Sequence, residues 1–166
     1  MQLKLYFMRA ATIHDLKAEL SGLSQKQLLD LCLRLAKFKK ENKELLTYLL
    51  FEAGNEEGYI ESVRLELDDL FEPLPHPNAY LTKKTLRKIL RVITRYSRYS
   101  NMVQSEIEMR IYFLDSIRKK EIRIAGSQAL INMYAQQVKK ISALIDTLHE
   151  DLQFDYTRRL KDWHNF

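Results

Sequence analysis

Between Lys83 and Arg98 the sequence KKTLRKILRVITRYSR carries seven cations and no carboxylate: Lys83, Lys84, Arg87, Lys88, Arg91, Arg95 and Arg98. Guanidinium and ammonium groups hold phosphates and carboxylates through charge-assisted hydrogen bonds. On a helix Lys84, Arg87, Lys88, Arg91, Arg95 and Arg98 fall within an arc of about 100°, opposite Leu86, Ile89 and Ile93. These six are the candidate binding residues. One reading is a polyanion site, a positive ridge along which Tyr96 and Tyr99 stack on bases. A second is an acidic protein partner. A third keeps the charge inside the chain: residues 52–72 hold Glu52, Glu56, Glu57, Glu61, Glu66, Asp68, Asp69 and Glu72 against Arg64 alone, a net of −7. An antiparallel pairing of the two runs then covers the ridge, and this bland reading is the expectation.

Other residue types are thinner in chemistry. Asp146, His149 and Glu150 share a helical face at spacings of three and four, but no matching set exists for a di-metal site. Cys32 sits among Leu28, Leu31 and Leu35 and reads as a small core residue rather than a reactive thiol. No phosphate-binding glycine loop or nucleophile elbow occurs. Arg159 and His164 stand in R-x4-H spacing, RLKDWH, which resembles the catalytic motif of the all-helical HEPN ribonucleases. That resemblance implies Arg159 steadying a scissile phosphate and His164 moving the proton. It covers six residues, and Leu160 stands where that motif usually has a polar residue. The expectation is no enzyme, no metal and no cofactor.

What must position these residues is helical. The chain has 166 residues, 46% hydrophobic and 30% charged, with only four glycines and three prolines. Good helix formers dominate, and the length suits one domain with a real core. The net charge of +5 is too mild to imply nucleic acid by itself. No run approaches a membrane span, the amino terminus MQLKLYFMRAAT is too charged for a secretory signal, and a bacterial-type cytoplasm is the expected setting.

Along the chain, Thr12 with Asp15 opens a short helix over 13–20, and Ser24 with Gln27 opens a long one to about Glu41. The latter is apolar on most sides (Leu28, Leu29, Leu31, Leu33, Leu35, Phe38) and is expected to be central and buried, with Leu29 and Leu33 covered. Asn42 caps a helix over 43–53, an acidic helix fills 56–72, and prolines 73, 75 and 77 lie in an extended connector, 73–80. Thr82 caps the basic helix, and Ser100 or Asn101 starts the next. The longest helix, about 127–152, carries Ile131, Tyr134, Val138, Ile141, Ile145, Leu148 and Leu152 as an unbroken seam. Bundle packing is the expected use of that seam, with a homodimer through this C-terminal helix as the alternative.

Residues 23–42 also align without a gap on 81–100: Ser24 with Thr82, Lys26 with Lys84, Leu28 with Leu86, Leu35 with Ile93, Phe38 with Tyr96. A duplicated helical hairpin is expected, with units at about 23–53 and 81–121. The sequence therefore points to an all-α domain over 1–166, seven to eight helices in a repeat-like α-α superhelix or bundle. Its expected function is non-catalytic binding, most of all to an unidentified protein, with nucleic acid as the alternative.

Overall fold

The computed structural model describes residues 10–75 and 78–160, and among these all regular structure is helical. The elements are α1 (Ile13–Ser21), α2 (Gln25–Phe38), α3 (Lys40–Thr47), a π-helical turn (Tyr48–Glu52), α4 (Glu56–Phe71), α5 (Ala79–Ser100), α6 (Val103–Lys119), α7 (Gln128–Ile145) and α8 (Glu150–Leu160). No described helix is long and apolar enough to cross a membrane. Two compact units are distinguished, residues 1–47 and 48–166. The division falls inside LLTYLLF, with no glycine or proline to mark it, whereas the sequence organisation treats 1–166 as one domain.

The first unit holds α1 to α3. Both capping boxes form: Thr12 Oγ1 accepts from the Asp15 amide, and Ser24 Oγ from that of Gln27. Each satisfies an amide that the first helical turn leaves without a partner. α2 stops at Phe38, not Glu41, because Lys39 turns extended (φ −142°, ψ 147°) and α3 restarts at once at Lys40. Asn42 does not cap. Its Nδ2 donates to the Leu35 carbonyl at 2.9 Å and ties α3 back to α2. The expectation of a buried α2 fails outright: no residue of α1, α2 or α3 is buried. Leu29 is 58% exposed and Leu33 45%, and Cys32 is exposed as well.

The core lies in the second unit. Leu67 and Phe71 of α4, Leu86, Ile89 and Ile93 of α5, and Ile107, Phe113 and Leu114 of α6 are fully or almost fully buried. α4, α5 and α6 pack pairwise on one another, and α7 packs on α6 and carries α8. At about 1.5–3 kcal/mol per buried large side chain, these contacts hold the unit together. The connector contributes too, since Leu74 is buried and its amide donates to the Phe71 carbonyl.

α5 begins one turn earlier than Thr82: Asn78 is its N-cap, and Thr82 is buried within the helix. It ends at Asn101, whose left-handed backbone (φ 54°) is a conformation asparagine tolerates. Met102 then caps α6 without a side-chain bond. The long C-terminal helix is in fact two, since α7 ends at Ile145 and the chain turns before Glu150. The seam residues Tyr134, Val138, Ile141 and Ile145 are buried inside this unit, so that stretch of the seam packs into the chain's own core, as expected, and is not left for the alternative dimer.

The equivalence of 23–42 with 81–100 does not carry into local structure. Ser24 is a cap and Thr82 is core. α2 breaks at Lys39 where α5 runs on through Ser97, and α5 buries seven residues where α2 buries none.

Candidate functional site

α5 sorts its residues cleanly by face. Thr82, Leu86, Ile89, Val92, Ile93, Ser97 and Tyr99 point into the core. On the opposite side Lys84, Arg87, Lys88, Arg91 and Arg98 are exposed. None of these five makes an ion pair with a described residue. From Lys84 to Arg98 the ridge spans about 21 Å at 1.5 Å per residue. Toward its amino-terminal end, Tyr80, Lys83, Lys84, Arg87, Leu90 and Arg91 enclose a groove of about 490 Å³. Cation and hydrocarbon alternate along its walls.

Arg95, the sixth candidate, is built in differently. Its Nη2 lies 3.6 Å from Glu66 Oε1, and its guanidinium sits 4.9 Å from the Tyr96 ring centroid. It is the one candidate that the acidic helix reaches, so the covered ridge is corrected for the other five. The reason is azimuthal. α4 turns Tyr59, Val63, Leu67 and Phe71 toward the core, which leaves its carboxylates at the flanks. Glu56 accepts from the hydroxyls of Tyr48, Ser100 and Ser105. Asp68 accepts from Tyr112, and Glu61 pairs with Arg64 at 3.4 Å.

The two tyrosines that the polyanion reading would stack on bases are also committed elsewhere. Tyr99 is buried, and Tyr96 donates its hydroxyl to Glu66 while meeting the rings of Tyr59 and Tyr99 edge-on. Burial first, then the Glu66 hydrogen bond and charge, push the Tyr96 phenol up to about 12. Of the ridge's aromatic neighbours, Tyr80 at one end is open, 70% exposed.

A feature the sequence does not announce is an acidic cleft of about 980 Å³ between the amino-terminal ends of α4 and α6 and the side of α8. Glu56, Glu57, Glu61, Arg64, Glu108 and Tyr156 are among its walls. Glu108 is clamped there by two guanidiniums, Arg64 Nη2 at 3.2 Å and Arg159 Nη1 at 2.6 Å. Arg159 also lies 5.5 Å from the Tyr156 ring centroid. The arginine of the ribonuclease-like motif is thus an ion-pair partner joining α8 to α6, and His164 lies outside the described residues. These residues come from distant parts of the chain with no shared period, so only the packing brings them together.

Asp146, His149 and Glu150 do not share one helix face, because α7 ends at Ile145 and α8 starts only at Glu150, leaving Asp146 and His149 in the turn between. His149 Nδ1 lies 3.4 Å from Asp151 instead. Among the described residues no group of three or more histidines, cysteines or carboxylates could hold a metal ion. No family model, curated protein or solved structure matches this chain.

Proposed function

We propose that the chain is a non-catalytic protein-binding module that takes an acidic partner along the ridge of α5. The observation that carries this is the set Lys84, Arg87, Lys88, Arg91 and Arg98, exposed, in line and in no ion pair with any described residue. Lys84 with Lys88 and Arg87 with Arg91 are like-charge pairs one turn apart, each unfavourable by about 0.2–0.5 kcal/mol in an isolated helix. An anionic partner removes that repulsion. Two observations favour a protein over nucleic acid. Tyr96 and Tyr99 are engaged in the core, which withdraws the stacking platform a single strand needs. α5 is flanked by α4 and α6, so its ridge projects by side chains alone and does not suit entry into a major groove about 12 Å wide.

The test is binding of the whole chain, at physiological salt, to a Glu-rich peptide and to single-stranded RNA and duplex DNA of equal charge. The peptide is expected to bind, to weaken with salt and to be lost in the Arg87→Glu, Arg91→Glu double variant, whose melting temperature stays within about 2 °C of the parent, since exposed pairs change stability little. Tighter binding of either nucleic acid than of the peptide would overturn the protein reading. Failure of all three to bind would overturn the ridge as a site.

A further inference from the structure

The groove at the amino-terminal end of the ridge offers more than positive charge. Four of its six lining residues are cations, Lys83, Lys84, Arg87 and Arg91, yet most of its surface is hydrocarbon. That surface comes from the ring of Tyr80, the half-buried Leu90 and the aliphatic stems of the cations themselves. Its volume of about 490 Å³ falls within the roughly 300–1,000 Å³ of pockets that seat compact groups. A carboxylate reaching an exposed ammonium needs no such recess.

The second unit also shows what its arginines take when they are partnered. Arg64 lies 5.4 Å from the Tyr112 ring centroid and pairs with Glu61 and Glu108. Arg95 lies 4.9 Å from the Tyr96 centroid and pairs with Glu66. Arg159 lies 5.5 Å from the Tyr156 centroid and pairs with Glu108. Each of the three guanidiniums has both a ring and a carboxylate, a combination that suits a planar cation with donors around its rim. Arg87 and Arg91, on the groove, have neither among the described residues.

We propose that the groove seats an aromatic side chain of the acidic partner, while carboxylates of the same segment pair with Arg87, Arg91 and Arg98. This rests on the acidic-partner reading and names what that partner must carry. The groove runs from Tyr80 to Arg91, and the ridge continues beyond it to Arg98. That further stretch is about 10 Å at 1.5 Å per residue. An extended segment covers it in about three residues. The partner's acids therefore follow closely on its ring.

The probes are a Glu-rich peptide and the same peptide with one central residue changed to Trp, each titrated against the whole chain by calorimetry. The Trp peptide is expected to bind about tenfold more tightly, with a more negative heat-capacity change, the mark of apolar burial. Both affinities are expected to fall with salt while their ratio holds within about twofold, because screening acts on the charges and not on the ring. In Leu90→Gln the gain is expected to vanish while the Glu-rich peptide binds as before. Because Leu90 is half-buried, Tyr80→Ser, at a residue 70% exposed, supplies a second variant that spares the core and is expected to lose most of the gain. A Trp peptide no tighter than its parent, or a gain that persists in both variants, would overturn the inference and leave the acidic-partner reading standing. Failure of both peptides to bind would overturn the two together, as would single-stranded RNA of equal charge binding more tightly than the Trp peptide.

Discussion

Replacing Glu106 and Arg110 one at a time should cost very different amounts of stability, although each change breaks the same ion pair. Arg110 is buried, its side chain 3% exposed, between α6 and α7. Its Nε and Nη2 donate to Glu106 Oε1 at 2.8 and 2.7 Å, and its Nη1 donates to Gln137 Oε1. Lys140 Nζ approaches the same carboxylate oxygen at 2.8 Å from the surface side. In Glu106→Ala the guanidinium stays buried with only a neutral amide for company, and breaking such a pair from one side costs about 3–5 kcal/mol. In Arg110→Met the buried charge leaves along with its desolvation penalty, a hydrocarbon of similar length fills the space, and Glu106 keeps Lys140. The expected cost is about 1 kcal/mol, since swapping a buried charge for a well-packed hydrophobe is often near neutral.

For a chain of this size each kcal/mol moves the melting temperature by about 2–4 °C, so urea and thermal melts separate the two variants easily. Acid adds a second axis. Burial pushes the Glu106 carboxyl up, but hydrogen bonds from Lys140 and Arg110, reinforced by their charges, outweigh it and hold the group below its ordinary value of 4.5. A carboxylate depressed in the folded state stabilises fully above its unfolded pKa and loses that contribution as pH falls through the folded one. The gap between parent and Glu106→Ala should therefore be constant above about pH 5.5 and narrow below pH 4.5. An Arg110→Met variant less stable than Glu106→Ala, or a gap that widens in acid, would refute the reasoning.

At the start of α4, a Cβ on Gly58 would meet Asn55 Nδ2 at 2.4 Å, and Asn55 Oδ1 caps the helix by accepting from the Gly58 amide. Gly58→Ala should be nearly neutral in the parent, the gain of about 1 kcal/mol in helix propensity offsetting a lost cap of similar size. In an Asn55→Ala background the same change should stabilise by about 1 kcal/mol, which a double-mutant cycle from urea melts will read. Leu67 is fully buried, so Leu67→Ala should cost about 2–5 kcal/mol by the same assay. In alkali the phenol of Tyr96, ordinarily at 10.0 and held up to about 12, keeps its proton longer in the folded chain. The stability it contributes is complete below pH 10.0 and is lost as pH rises toward 12. Tyr96→Phe should flatten that decline in melting temperature across the same window.

Local signals in the sequence proved legible where the physics is local. The capping boxes at Thr12 and Ser24, the apolar faces of α4 and α5 and the cationic arc all follow from spacing within a few residues. The spacing of Tyr134, Val138, Ile141 and Ile145 marks a buried face on α7, but it runs on through Leu148 and Leu152 and hides the break after Ile145. A period of three and four persists across a turn when both helices face one core. Thr82 reads as a cap in the sequence because Asn78 and Thr82 are both cap formers one turn apart, and only the packing of Thr82 decides between them. The pairing of α4 with the ridge fails for a related reason. Net charge per helix is readable from composition, but the azimuth at which each carboxylate leaves the helix depends on which face the neighbours cover. α2 shows the limit most plainly: its leucines state that cover is needed and are silent on what provides it.

Glu56 has a bearing on how this sequence can change. Its carboxylate receives hydroxyls from Tyr48 in the π-helical turn, Ser100 at the end of α5 and Ser105 in the first turn of α6. Three segments are thus pinned to one side chain, and two of the donors share a single oxygen. Losing one serine leaves the other to hold the carboxylate, whereas losing Glu56 strands every donor at once. Substitutions at these positions are therefore epistatic. Ser100→Ala has one effect when Ser105 is present and a larger one when it is absent, and once Glu56 is gone both shrink to what Ser100 Oγ contributes by accepting from the Met102 amide. A lineage can shed either serine singly, but the carboxylate has to be the last of the set to go.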